Sequence, residues 1–224
     1  MKKIIAICGL KGSGKDTIAD YIIQNYDNWE KHSFAGTVKD IVSSIFGWDR
    51  KMLAGETPED RETREEVDHY WSKKLKYAVT PRLMLQKIGT DILRDHFDKN
   101  IWIYSLEHKL MNSDKNVIVT DCRFKNEIEA LKGLKAIFIR VERNPLPDWF
   151  RQCERLGKEC LDNPFDPFLE NDEKYHVLVE ETQYIHKSEW DWIGYDRPNY
   201  ILKNDGTFED LYKQIRDVKE LYND

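Results

Sequence analysis

Short apolar runs alternate with helical stripes along this chain. Ile4–Cys8 is a wholly apolar run that ends at a glycine-rich loop, which is typical of a strand buried on both faces by helices. Residues 17–25 follow as a predicted helix, because their apolar side chains recur every three to four positions. Further strand-like runs lie at 32–35, 117–120, 136–141 and 200–202. The pattern predicts an α/β fold with a parallel sheet of about five strands flanked by helices.

Two stretches interrupt this alternation. Residues 36–116 are too long for one crossover and carry helical stripes, with apolar residues at 38, 41, 42 and 45 and again between 83 and 93. Residues 144–198 contain five of the seven prolines and many charges, which predicts a partly helical lid. We therefore expect one domain over 1–224, with a core of 1–35, 117–143 and 199–224, a helical insertion at 36–116 and a lid at 144–198.

Composition narrows the class of protein. The 224 residues carry a net charge of −6, which argues against nucleic acid as a partner bound through a basic surface. Aromatic residues reach 12%, which excludes a disordered acidic chain. The four cysteines form no metal-ligand or redox spacing, and no apolar run is long enough to span a membrane. We expect a cytoplasmic protein without a membrane partner, and a homodimer is compatible with the sequence.

The loop after the first strand carries the strongest chemical signal. Residues 9–15 satisfy G-x-x-x-x-G-K between a predicted strand and a predicted helix, the context that a phosphate-binding loop requires. Its backbone N–H groups would surround phosphate oxygens, and Lys15 would reach the β and γ phosphates. The alternative is a glycine-rich turn with an exposed lysine. The residues predicted to bind the triphosphate in the loop are Lys11, Gly12, Ser13, Gly14 and Lys15.

The residues after Lys15 depart from the usual motif, which continues directly with Ser or Thr. Here Asp16 and Thr17 follow. Asp16 could hold Mg²⁺ directly or through water while Thr17 donates to the α phosphate. Alternatively, Asp16 caps the start of the helix, where a carboxylate is favourable. Both interpretations remain open at this point.

Two later segments add polar groups at predicted strand ends. Asp121 follows the apolar run 116–120, and the carboxyl ends of parallel strands face the ligand crevice. It could organise the waters of a metal or accept a proton, and the alternative is a turn or cap residue. Near the end of the chain, Thr207 and Asp210 resemble a capping box at the start of a helix.

Six segments, taken in order, resemble the phage-type, T4-like deoxynucleoside monophosphate kinases of the P-loop kinase superfamily. They are GLKGSGKDTIAD, FAGTVKD, PRLMLQKIGTDILRDHFDKNIW, VTDCRFKNEIEAL, HKSEW and NDGTFEDLYKQI. The resemblance covers most of 3–143 and 186–216. It implies a P-loop kinase fold that uses ATP and Mg²⁺ to phosphorylate a deoxynucleoside monophosphate, its substrate partner.

The resemblance also implies roles for individual residues. The insertion at 36–116 would bind the monophosphate, through Lys39, Arg82, Gln86, Gly89 and Thr90, with Trp102 closing the site. Asp121, Arg123 and Glu127 would lie beside the transferring phosphoryl group and the acceptor sugar. Asn204, Asp205 and Gly206 would lie near the base of ATP. The chemistry agrees, because the planar fork of arginine suits phosphate and Gln86 stands one helical turn from Arg82.

The arginines of the lid are the least determined candidates. Arg143 corresponds to an arginine at the end of the fourth strand, and we expect it to act with Lys15, Asp121 and Arg123 in catalysis. Arg151 and Arg155 share one helical face and could reach the site or form a solvated charged surface. The alternatives for the whole chain are another small-metabolite P-loop kinase, such as a dephospho-coenzyme A or phosphomevalonate kinase, and a non-kinase regulatory ATPase.

Overall fold

The computed structural model describes residues 2–162, 185 and 187–222. The chain divides into two compact units. One consists of Met1–His32 and Ser113–Asp224 and contains all the strands, so we name it the sheet unit. The other, Ser33–Asn112, contains only helices among its elements and is named the helical unit.

Five parallel strands form the sheet, which confirms the predicted α/β architecture. Their spatial order is β2-β3-β1-β4-β5, and every neighbouring pair is parallel. All five residues of the central strand are buried, as a strand covered on both faces requires. The strands are β1 (Ile4–Cys8), β2 (Trp29–His32), β3 (Asn116–Val119), β4 (Ile137–Glu142) and β5 (Tyr200–Lys203).

The second strand lies earlier in the chain than the prediction of 32–35. β2 begins at Trp29, which is buried and lies opposite Asn116 of β3, and it ends at His32. Its other residues, Glu30 and Lys31, are polar and only partly buried. Because β2 is an edge strand, it needs few apolar side chains, and the apolar run that follows it gave a misleading signal.

The helices of the sheet unit cover the sheet and fix the start of the loop. They are α1 (Lys15–Asn25), α8 (Lys125–Gly133), α9 (Asp148–Asp162) and α10 (Phe208–Arg216), with 3₁₀ turns at Lys187–Glu189 and Lys219–Leu221. Ile18 and Ile22 of α1 pack in one core with Ile215 of α10 and with Ile5 and Ile7 of β1. Each such buried side chain contributes roughly 1.5–3 kcal/mol, so the loop between β1 and α1 is held at both ends by the core.

The helical unit is built from short helices with clear caps. They are α2 (Gly36–Phe46), α3 (Arg50–Ala54), α4 (Pro58–Thr63), α5 (His69–Leu75), α6 (Pro81–Gln86) and α7 (Ile101–Met111). The side chains of Asp49, Thr57, Asp68 and Thr80 each accept from a backbone N–H three residues later, which fixes where each of these short helices begins.

A π-helix, Lys87–Phe97, continues directly from α6. Its wider turn displaces the apolar stripe predicted between 83 and 93, and Ile92 is consequently 55% exposed. Gly89 is the buried residue of this segment, and a Cβ there would lie 3.2 Å from a methyl of Val38 in α2. Among the described residues, no helix has the length and apolar character needed to cross a membrane.

Candidate functional site

The loop between β1 and α1 has the backbone geometry that binds an anion. Gly12 and Gly14 have positive φ values of 79° and 101°, which residues that carry a Cβ rarely adopt. A Cβ at Gly14 would also come within 2.4 Å of Nδ2 of Asn204. Because α1 starts at Lys15, its first backbone N–H groups have no partner within the helix and can meet a phosphate oxygen.

Lys15 is held inside the loop. Its Nζ donates to the carbonyl oxygens of Gly9 and Leu10, both at 2.8 Å. Burial first, and the charge of Arg123 second, lower the pKa of Lys15 to about 8, although Asp16 and Glu189 act in the opposite direction. A partly buried cation with a depressed pKa gains stability when an anion binds beside it. The positive charge of the loop is therefore only partly compensated by the protein, and a bound anion would stabilise it.

Ser13 is a second sign of an anion site. Its side chain is 3% exposed, and its Oγ has no hydrogen-bond partner among the described residues. A buried hydroxyl without a partner costs about 1–3 kcal/mol, which a ligand oxygen could recover. The hydroxyl, the ammonium of Lys15 and the helix N–H groups together fit a polyphosphate.

Asn204 holds the loop from the end of β5. Its Nδ2 donates to the carbonyl oxygen of Ser13 at 2.8 Å. Beside it, Asp205 accepts from the backbone N–H and the side-chain amide of Asn144, each at 2.6 Å. Gly206 lies two residues before α10, and a Cβ there would be 2.7 Å from Oδ2 of Asp210. Asn204 therefore contacts the glycine loop, and Asp205 contacts the residues that follow β4.

The capping box at the start of α10 is confirmed. Thr207 Oγ1 accepts from the N–H of Asp210, and the Asp210 carboxylate accepts from the N–H of Thr207. Gln214 of the same helix exchanges two hydrogen bonds of 2.8 Å with the backbone of Lys203. These contacts fix the end of β5, from which Asn204 reaches the loop.

Asp16 stands in the first turn of α1 and forms an ion pair with Lys31 of β2. The distance from Nζ to Oδ1 is 2.7 Å, and the Asp16 side chain is 72% exposed. Burial favours a lower pKa for Lys31, but the bond and charge of Asp16 outweigh it and raise that pKa. Among the described residues, no group of three or more His, Cys, Asp and Glu side chains could hold a metal. The residues for Mg²⁺ stay a prediction.

The segment after β3 carries Asp121, Arg123 and Glu127. Glu127 is 2% exposed, and its Oε2 accepts from the backbone N–H groups of Arg123 at 2.8 Å and Phe124 at 3.2 Å. It therefore fixes the turn from which Arg123 projects. The guanidinium of Arg123 forms an ion pair of 2.8 Å with Glu189. Arg123 influences the pKa of Lys15, which places this segment electrostatically beside the loop.

The three lid arginines have different surroundings. Arg143, at the end of β4, directs Nη1 at the carbonyl oxygen of Gly12, at the long distance of 3.5 Å. Arg151 in α9 pairs instead with Glu142 at 3.3 Å and Glu154 at 2.9 Å. Arg155 lies on α9 and is partly buried. Residues 163–184 and 186 of the predicted lid lie outside the described residues.

Sequence analysis missed a buried ion network on β4. Arg140 is fully buried, and its guanidinium forms two hydrogen bonds with Asp196, of 2.7 and 2.5 Å, and one with Glu154. The rings of Phe150 and Trp192 flank it at 5.8 and 5.9 Å. The network ties β4 to α9 and to the chain before β5. An arginine within an apolar strand was the only signal, because its partners are remote in sequence.

In the helical unit, Arg82 and Gln86 lie one turn apart on α6. The Arg82 side chain is 39% exposed and lies 3.7 Å from Glu65, a loose ion pair. Lys39 lies on α2, which packs against α6 and the π-helix, and Thr90 lies in the π-helix. Four of the residues predicted to bind the monophosphate therefore lie on elements of the helical unit that contact one another. They are Lys39, Arg82, Gln86 and Thr90.

Arg64 is the residue of the helical unit that sequence analysis did not identify. Burial and the nearby charge of Arg82 lower the pKa of its guanidinium. Its Nε is buried without a hydrogen-bond partner among the described residues, and its Cζ lies 2.4 Å from a Cβ position at Gly55. Two neighbouring guanidinium groups, one of them incompletely paired, form a site that an anion would stabilise.

Trp102 lies in the buried interior of the helical unit. Its ring is 5% exposed, and its Nε1 donates to the carbonyl oxygen of Gly89 at 2.9 Å. The bond joins α7 to the π-helix and brings together two residues predicted to bind the monophosphate. The indole contributes to the core of the helical unit, as highly buried tryptophans commonly do.

The family model and the curated relatives point to one family. A family described as "Deoxynucleotide monophosphate kinase" matches residues 3–59 and 55–181. A protein of Acanthamoeba polyphaga mimivirus assigned to this activity is 34% identical over 152 residues, 62% of this chain and 74% of that protein. The deoxynucleotide monophosphate kinase of Enterobacteria phage T4 is 25% identical over 197 residues, 63% of this chain and 81% of that protein. The dephospho-CoA kinase of Campylobacter jejuni is a similar solved structure, with 13% identity, coverages of 98% and 96%, and a TM-score of 0.44.

Proposed function

The chain belongs to the deoxynucleotide monophosphate kinase family, and from this premise we propose that it transfers the γ-phosphoryl group of ATP to a deoxynucleoside monophosphate, giving the diphosphate and ADP. The observation that supports this activity best is the presence of two cationic sites of different construction. One is the glycine loop with Lys15 in the sheet unit, and the other is the pair Arg64 and Arg82 in the helical unit. A reaction between two nucleotides needs one such site for each phosphate chain.

The sheet unit would bind ATP. The N–H groups of the loop, the hydroxyl of Ser13 and the ammonium of Lys15 would bind phosphate oxygens, and Asn204 would keep the loop in place through the Ser13 carbonyl. Asp16 and Thr17 would hold Mg²⁺, with Asp16 exchanging Lys31 for the metal. The metal ion, when bound, neutralises phosphate charge.

The helical unit would bind the acceptor. Arg64 and Arg82 would bind the monophosphate, because the charge of Arg82 acts on Arg64 and guanidinium groups supply several N–H donors to an anion. Gln86, which lies on α6 with Arg82, and Lys39, which lies on α2, would contact the same nucleotide. Gly89, Thr90 and Trp102 would shape the wall of this site.

Arg123 would stabilise the charge of the transferring phosphoryl group, and Asp121 would accept the proton or orient the metal waters. Arg143, at the end of β4 and beside the loop, would add a second guanidinium. Phosphoryl transfer depends mostly on positioning and charge neutralisation, and these residues supply both.

The experiment that tests this function measures products. Purified protein with ATP and Mg²⁺ is offered each of the four deoxynucleoside monophosphates, dephospho-coenzyme A and phosphomevalonate, and nucleotides are separated by chromatography. We expect deoxynucleoside diphosphate and ADP in equal amounts, and none with Lys15→Met. ADP without a phosphorylated acceptor would indicate an ATPase, and phosphorylation of either other metabolite alone would indicate a different kinase.

A further inference from the structure

A carboxylate lies among the cations of the proposed ATP site. Glu189 Oε1 is 2.8 Å from Nη1 of Arg123, and the two side chains are 27% and 39% exposed. Both groups influence the pKa of Lys15, Arg123 lowering it and Glu189 raising it. A site that binds anions gains nothing for ground-state binding from a fixed negative charge. This charge therefore needs another explanation.

The chain that carries Glu189 is anchored independently of the ion pair. The carbonyl oxygen of Glu189 accepts from Nε1 of Trp192, whose ring is 1% exposed. The carboxylate of Asp191 accepts from the N–H of Lys125 at the start of α8, at 2.9 Å. Glu189 is thus presented to Arg123 by a fixed support. The pair itself, being partly exposed, contributes only about 0–1 kcal/mol to stability.

Arg123 has a fixed backbone and a long side chain. Glu127 holds its N–H, but the guanidinium stands at the end of four rotatable bonds. An arginine side chain loses up to about 2 kcal/mol of rotamer freedom when it is immobilised. Among the described residues, the bond to Glu189 leaves the other N–H groups of the guanidinium available for a ligand. A guanidinium immobilised before the ligand binds needs no reorganisation during the reaction.

We propose that Glu189 is a positioning residue that immobilises the Arg123 guanidinium for phosphoryl transfer and offsets its repulsion with Lys15 while no phosphate is bound. This role rests on the proposed function, since it assumes that Arg123 contacts the transferring group. It differs from a structural role, which would affect stability, and from a blocking role, in which Glu189 competes with the nucleotide.

Kinetics of Glu189→Gln separate these roles. Misplacement of a catalytic group by about 1 Å can cost on the order of 100-fold in rate, so we expect kcat to fall between about 10-fold and 100-fold. The KM for ATP should stay the same or fall, because a negative charge near the phosphates is removed. An unchanged kcat with a lower KM would show a blocking role and overturn the proposal. A higher KM with an unchanged kcat would overturn it as well.

A double-mutant cycle with Arg123→Ala tests whether Glu189 acts through Arg123. In that background, Glu189→Gln should change kcat by less than about twofold, because there is no guanidinium left to position. The same loss of kcat in both backgrounds would overturn the proposal. Asp191→Asn is the matched control, since it removes a negative charge from the same segment while the amide oxygen can still accept from the N–H of Lys125, and its kcat should stay within about twofold of wild type.

The wild-type protein distinguishes failure of this inference from failure of the proposed function. Transfer to a deoxynucleoside monophosphate establishes the function whatever the variants do. If the wild type phosphorylates none of them, the same cycle is measured on its hydrolysis of ATP. A non-additive effect of the two substitutions there would still support the coupling, and an additive effect would refute it. Thermal melting of each variant verifies that it is folded.

Discussion

Replacing Lys15 by Met should stabilise the folded protein while it abolishes phosphoryl transfer. At neutral pH the Lys15 ammonium is charged in both the folded and the unfolded chain. In the folded chain its pKa falls from 10.5 to about 8, chiefly because burial removes water and also because Arg123 repels it. Asp16, Glu189 and Cys8 only partly offset this. The positive charge that we propose to bind the nucleotide therefore destabilises the protein without a ligand.

The shift gives the magnitude. A change from 10.5 to about 8 is about 2.5 pH units, and each unit corresponds to 1.36 kcal/mol, so the upper limit is about 3.4 kcal/mol. Because the side chain is only partly buried and keeps two carbonyl hydrogen bonds, we expect a gain of about 1–3 kcal/mol for Lys15→Met. Met has a similar length and no charge, so it should leave little space unfilled.

The two pKa values of Lys15 also give the direction in which the stability of the wild type changes with pH. Between about pH 8 and 10.5 the unfolded chain holds a proton on Lys15 that the folded chain has lost, so the wild type gains stability as pH rises through this window. Below pH 8 both states hold the proton, and the stability difference between wild type and Lys15→Met should be constant. Above pH 10.5 both have lost it, and the difference should be smallest.

Urea unfolding of both proteins at pH 7, 8, 9 and 10 measures this difference. Lys11→Met, a change at an exposed lysine of the same loop, is the control and should alter the free energy of unfolding by less than about 0.5 kcal/mol. Two results would refute the reasoning. One is a variant less stable than the wild type at pH 7. The other is a difference in the free energy of unfolding between the two proteins that does not become smaller between pH 8 and 10.

Three further substitutions test other parts of the molecule. Arg82→Ala should raise the KM for the monophosphate about tenfold or more and leave the KM for ATP nearly unchanged in steady-state assays, and the reverse pattern would place Arg82 on the wrong substrate. Arg143→Ala should lower kcat at least about tenfold, and an unchanged kcat would remove this residue from catalysis. Asp196→Asn should leave the buried Arg140 poorly paired and cost about 3 kcal/mol, which lowers Tm in calorimetry by roughly 6–12 °C. Arg151→Ala, which removes the two ion pairs of a guanidinium that is itself 55% exposed, is its control, and equal Tm changes would contradict the argument.

Local patterns predicted the frame of the sheet unit. The run Ile4–Cys8, the loop and the helix after it were evident because strand burial, glycine conformation and helical periodicity all act over a few adjacent residues. The capping box of Thr207 and Asp210 was predictable for the same reason. The edge strand β2 was misplaced, because one exposed side removes the apolar pattern on which such a prediction depends.

By itself, the sequence thus determined the α/β class, the phosphate-binding loop and the segments that carry charged groups. Only the tertiary structure decided what those groups do. Arg140 and Asp196 are 56 residues apart, and Asn204 reaches Ser13 across 191 residues, so no local pattern joins them. The pKa of Lys15 and the pairing of Arg123 with Glu189 likewise depend on which remote side chains exclude water and supply charge. Burial and Coulomb interactions act through space, whereas sequence patterns record neighbours along the chain.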